Sequence, residues 1–146
     1  MKILRLILGD QLNQKHSWFD HIDDDITYLM AEMRQETDYV KHHVQKVVAF
    51  FRSMRNFHEE LSEKGHRFIY LKISETDNPQ QLEKIIEKYV ADTEAEKFEY
   101  QYPDEYRLDE QLKSICDSLS IDTEAVDSEH FYTTRYKLKN YFSNKK

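Results

Sequence analysis

The fold is decided by the stretch Lys2-Ile3-Leu4-Arg5-Leu6-Ile7-Leu8, which runs straight into Gly9-Asp10-Gln11-Leu12. Five of the seven residues from Lys2 to Leu8 are aliphatic. A nearly continuous apolar run over residues 1–8 is the pattern of a strand covered on both faces, as parallel sheets require. Gly9-Asp10 ends it. Further runs of strand length follow at residues 26–31 (ITYLMA), 67–73 (RFIYLKI), 97–102 and 121–126. Helical spacing fills residues 38–64, 79–91 and 106–119 between them. The order β-β-α-β-α-β-α-β predicts a five-stranded, mostly parallel sheet with helices on both faces. That is a three-layer α/β domain, Rossmann-like or flavodoxin-like. Residues 11–25 are long for a loop, and a short helix is expected around His16 to Asp20.

The first long helix carries two stripes. Val40, Val44, Val47, Phe51, Met54, His58 and Leu61 recur at spacings of three and four, which predicts a core-facing face. Gly65 falls where a left-handed C-terminal cap belongs, and Thr37 or Asp38 is the expected N-cap. Beside this stripe, about a quarter turn away at roughly 100° per residue, runs Tyr39, His43, Lys46 and Phe50. This second row mixes polar and aromatic groups, so it is either a wet core edge or one wall of a binding cleft.

Composition limits the chemistry. At 146 residues the chain is one domain's worth, and its net charge of −7 would on average repel a phosphate backbone. The basic exception is residues 135–146, with five Lys or Arg and no acid, more in keeping with a solvated helix end than a nucleic-acid arm. One cysteine, Cys116, allows neither an internal disulfide nor a thiolate metal cluster, and its apolar helical setting reads as buried and inert. Only two glycines are present, so neither a G-x-G-x-x-G loop nor a P-loop can be written. There is no long apolar run and no signal sequence, which predicts a cytoplasmic protein without membrane contact.

The remaining candidates lie where strands end. Ligands of open parallel sheets bind outside the carboxyl ends of strands, at the switch in strand order. Gly9, Asp10 and Gln11 occupy such a position, and so does Glu32; each is either a ligand contact or an ordinary turn residue. Asp23-Asp24-Asp25 reads as a solvated turn. A magnesium site lacks a full set of oxygen ligands. His42 and His43 point about 100° apart on a helix, no i, i+4 histidine pair exists, and no catalytic elbow of the form G-x-S-x-G occurs. No catalytic or metal-binding residue is therefore assigned. In Tyr102-Pro103-Asp104-Glu105-Tyr106-Arg107, Asp104 is the expected helix cap and Glu105 favours the helix's positive end.

These residues resemble a known family. LILGDQL at residues 6–12, then Ala31-Glu32-Met33, Tyr39-Val40, His42-His43, Lys46, Phe50, Met54-Arg55 and Phe57, then Pro103, Glu105, Tyr106 and Arg107, are similar to three successive blocks of the bacterial photolyase-related proteins. This is the cryptochrome and photolyase group that carries an iron–sulfur cluster. The likeness spans residues 3–142, and Tyr102 stands where the family is expected to have an acid. The resemblance implies that residues 1–130 form an antenna domain holding a dimethyl-ribityllumazine. It implies that residues 131–146 begin a linker to a helical C-terminal part, absent from this chain, that would hold FAD and the cluster and contact DNA. Gly9, Asp10, Gln11, Glu32, Tyr39, Lys46, Phe50 and Glu105 would line the chromophore pocket. The domain alone would be non-catalytic, its parent similar to a deoxyribodipyrimidine or (6-4) photolyase or to a blue-light cryptochrome. The exposed docking face could also pair two copies. Glu32→Ala is expected to weaken ligand binding without harming the fold. The alternatives without the resemblance are a generic nucleotide- or metabolite-binding module, or a protein-interaction domain.

Overall fold

A computed structural model describes residues 1–37, 43–130 and 133–143 of the chain. Five strands, β1 (Ile3–Leu6), β2 (Ile26–Ala31), β3 (Arg67–Leu71), β4 (Lys97–Gln101) and β5 (Asp122–Val126), form one sheet in the order β3-β2-β1-β4-β5. Every neighbouring pair is parallel. Among the described residues the helices are α1 (Val44–Glu63), α2 (Leu82–Asp92), α3 (Tyr106–Ser118) and α4 (Arg135–Ser143). The expected three-layer α/β fold is the one observed.

Strand alternation sorts the core into two halves. Leu4, Leu6, Leu29, Leu71, Phe98 and Tyr100 pack with Leu82, Ile85 and Ile86 of α2 and Leu108, Leu112 and Ile115 of α3. On the other face, Ile7, Tyr28 and Met30 meet Phe51, Met54, Phe57 and Leu61 of α1. Here the 11–25 segment adds Trp18 and Phe19 in place of a crossover helix. Its only helical turn is the expected short one, a 3-10 turn at Ser17–Phe19. Since β1 heads both halves of the strand order, the chain leaves it toward β2 and β3 on one side and returns to β4 and β5 on the other. The switch point lies between β1 and β4.

Arg5, the charge in the middle of the apolar run, is accounted for on this second face. Its register partner on β4 is Glu99, and the two pair at 2.7 Å, with Lys97 adding a bond to Glu99 at 2.8 Å. The Arg5 guanidinium lies 4.8 Å from the centre of the Trp18 ring, within cation–π range. Burial alone would push the Glu99 carboxyl up, but Lys97 and Arg5 outweigh it and hold it below the ordinary range.

Helix α1 departs from the sequence reading at its start. Neither Thr37 nor Asp38 caps it: the His43 imidazole accepts the Gln45 N–H, so the helix begins at Val44. Thr37 instead closes a 3-10 turn at Arg34–Glu36, and residues 38–42, with Val40 and Tyr39, lie outside the described residues. Val44, placed on the core stripe by spacing, is 74% exposed. Phe57, off that stripe, is buried. His58 is half-buried and stacks on Tyr70 at 4.6 Å. The C-terminal end follows expectation: Gly65 has φ +107°, its N–H bonds Ser62 O, and the His66 N–H bonds Leu61 O, a Schellman cap.

At the amino-terminal edge of the sheet, the chain's first residue is tied down. The Met1 ammonium meets Asp25 at 3.2 Å, and the Glu96 and Lys97 N–H groups bond Lys2 O. No helix among the described residues is long and apolar enough to cross a membrane.

Candidate functional site

At the opposite edge, where the strands end, a cleft of about 680 Å³ opens between the turn after β1 and the first half of α1. Its walls are Gly9, Asp10, Leu12 and Asn13 on one side, Lys46, Ala49, Phe50 and Ser53 on the other, and His130. The second stripe of α1 thus faces a cleft, and its period continues from Lys46 and Phe50 to Ser53. Gly9 is required by close approach: a Cβ there would stand 2.4 Å from Phe50 Cζ and 3.0 Å from Met54 Sδ.

Four of the eight residues singled out from sequence, Gly9, Asp10, Lys46 and Phe50, come together in this cleft. Tyr39 lies outside the described residues. The other three have different contacts. The Gln11 side chain is buried and stitches two strand ends, accepting the Leu8 N–H at 3.0 Å and donating to Gln101 O at 3.1 Å. Glu105 is exposed and caps α3, accepting the Arg107 and Leu108 N–H groups. That corrects the expectation that Asp104 would be the cap.

Glu32 is 0% exposed and already saturated. Arg55 Nε and Nη2 reach its two oxygens at 2.7 and 2.8 Å, the Tyr70 hydroxyl donates at 2.6 Å, and the Ile73 N–H at 3.0 Å. Burial would raise this carboxyl, but these donors outweigh it and hold it below the usual carboxylate range. Burial and the charge of Glu32 push the Tyr70 hydroxyl well up. Glu32 therefore supports Arg55 and the β2–β3 strand ends, and its removal would strand a buried network.

Sequence reasoning missed Glu36. It follows β2 and accepts the Gly9 N–H at 2.9 Å, fixing the turn that forms the cleft floor. Burial pushes its carboxyl up to about 7, against the Gly9 hydrogen bond, and the charge of Asp10 acts in the same upward sense. Burial and Asp104 likewise raise Asp10. No periodicity marks Glu36 among 28 acidic residues, and His130 arrives from beyond β5 through a long-range return that spacing cannot display. Ser53 was recoverable by extending the second stripe one step.

An open, all-parallel five-stranded sheet between helices, with a mixed aromatic and polar cleft at its carboxyl edge, defines a Rossmann-like α/β domain. The family described as deoxyribodipyrimidine photo-lyase-related protein matches residues 5–146. The chain belongs to that family. It is also 33% identical over 109 residues to a (6-4) photolyase of Agrobacterium fabrum (strain C58 / ATCC 33970). The match covers 74% of this chain and 22% of that protein's length.

Proposed function

We propose that this domain binds an antenna chromophore, a dimethyl-ribityllumazine, for a photolyase-related DNA repair or blue-light cryptochrome protein. The observation that carries the reading is Lys46 and Phe50 of α1 facing Gly9 and Asp10 across one cleft. Its volume lies within the range of roughly 300–1,000 Å³ typical of cofactor pockets. The side chains suit the ligand. Phe50, Leu12 and Ala49 offer apolar surface to a flat ring system. Lys46 can meet a ring carbonyl, and Asn13, Ser53 and Asp10 can meet ribityl hydroxyls.

When bound, the chromophore supplies light absorption and passes excitation onward, so the chain's task is to bind, orient and shield it rather than to make bonds. The bulk of the parent would supply FAD and the DNA contact. One cysteine cannot ligate an iron–sulfur cluster, so that group too would belong elsewhere in the parent. A docking face for that remainder, able to pair two copies in its absence, and a cytoplasmic location go with the same reading.

The test is direct. Ribityllumazine titrated into the purified chain should become polarised in its fluorescence, and Lys46→Ala or Phe50→Ala should raise Kd about tenfold or more, the loss of roughly 1.4 kcal/mol of contact. No polarisation change at saturating ligand sinks the proposal.

A further inference from the structure

At the end of β4, beside the last residue of β5, one buried side chain has no partner among the described residues. Gln101 ends β4, the strand beside the switch point, and is 1% exposed. Its backbone carbonyl accepts the Gln11 amide, but among the described residues neither Oε1 nor Nε2 of the Gln101 side chain makes a hydrogen bond. A carboxamide offers two donor hydrogens and two acceptor lone pairs, and buried amides left idle bear the full penalty of lost hydration. By alternation along β4, Gln101 points away from Phe98 and Tyr100, onto the same sheet face as Glu99 and the cleft.

Gln101 pairs in register with Val126, and the loop 127–130 begins directly after that partner. Residues 127–130 cross from β5 toward the 11–25 segment as a strap. His16 Nδ1 accepts the Trp18 N–H, so its Nε2 carries the proton and donates to Asp127 O at 2.9 Å. The Ser17 N–H and hydroxyl both donate to the Glu129 carboxylate. Glu129 is held at φ +58°, a left-handed conformation that a non-glycine side chain disfavours. The next residue, His130, lines the cleft. The strap is thus fastened by these polar contacts around a buried Ser128, and it runs from the register partner of Gln101 to the cleft.

We infer that Gln101 is a specificity residue of the cleft, reading the imide edge (C=O, N–H, C=O) of a heterocyclic ligand once the 127–130 strap yields. A carboxamide is complementary to such an edge: Oε1 accepts the imide N–H while Nε2 donates to a flanking carbonyl. The inference rests on the cleft being a ligand site and not on the ligand being ribityllumazine, which carries the same imide between two ring carbonyls.

The experiment uses three probes on the full chain, ribityllumazine, uracil and 3-methyluracil, with binding read by fluorescence polarisation for the first and ligand-observed NMR for the others. Uracil should bind the wild type weakly, and methylation of its imide nitrogen should abolish binding. Gln101→Met should weaken uracil and ribityllumazine about tenfold, the effect of losing a hydrogen-bonded edge, while its Tm stays level or rises because an idle buried amide is gone. Equal binding of uracil and 3-methyluracil by the wild type overturns the inference, even if the variant fails to fold. So does undiminished binding by Gln101→Met, or a wild type that binds none of the three. If uracil binds with the stated discrimination and ribityllumazine does not, Gln101 keeps its role and the antenna reading is the one that fails.

Discussion

Gly9 does its work by what it lacks. The Phe50 ring occupies the space of a side chain at position 9, so Gly9→Ala must push that ring into the cleft. Because the displaced atoms are the far end of one side chain, the stability cost should be about 1 kcal/mol, while ligand affinity falls markedly. Gly9→Ala combined with Phe50→Ala should lose less stability than the sum of the two single changes, which a double-mutant cycle of thermal melts would show. Glu36 acts through its proton. Its folded-state value of about 7 stands above the ordinary 4.5, so the folded chain holds this proton more tightly than the unfolded one. The resulting stabilisation is complete below about pH 4.5 and is lost as pH rises through 7, by up to about 3 kcal/mol. Glu36→Gln should flatten that decline, gaining on the wild type between pH 5 and pH 8 in Tm measurements. A constant difference across that range would contradict the buried-carboxyl account.

At the scale of elements, α1 divides its labour between two faces. Met54, fully buried between Gly9 and the sheet, should cost about 2–5 kcal/mol when cut to alanine. Val44→Ala should change stability by less than about 0.5 kcal/mol, since it removes an exposed side chain. Two acids first grouped as pocket residues separate in the same way. Glu32→Ala should destabilise by about 2–3 kcal/mol, because it strands Arg55 and Tyr70 beside a buried gap. Glu105→Ala should cost about 1 kcal/mol, the loss of a helix cap, and leave ligand affinity alone. Chemical denaturation paired with the polarisation assay checks all four. Spacing places the Glu32 carboxylate at a strand end but does not show the Arg55, Tyr70 and Ile73 donors that hold it.

For the whole molecule, the sheet was legible because apolar runs bounded by turn residues are local signals; β2 occupies the very residues 26–31 that its apolar run marked. The second stripe of α1 was legible for the same reason, but spacing alone did not separate a wet core edge from the cleft wall it forms. Gly9 and Asp10 across the cleft were legible as a strand-end turn, but His130 and the Glu36 carboxylate that holds Gly9 were not, since both arrive through tertiary return of the chain. Nor could helical spacing show that α1 starts at Val44, because that depends on the His43 ring folding onto its own backbone. With two half-cores pressed on one central sheet, neither half can keep its apolar face dry alone. Unfolding should therefore be a single transition, with far-ultraviolet ellipticity and Trp18 emission coinciding in urea. Two separated midpoints would mean the layers melt independently.

The ion pair between Met1 and Asp25 sets the chain's beginning on the rim remote from the cleft. A strand of four to six residues, roughly 13–20 Å of rise, separates the two rims. An affinity handle or dye joined before Met1 would consequently hang clear of any ligand. The Tyr136 hydroxyl of α4 touches that of Tyr102, just past β4, so α4 by contrast meets the sheet at the carboxyl rim, the one that carries the cleft.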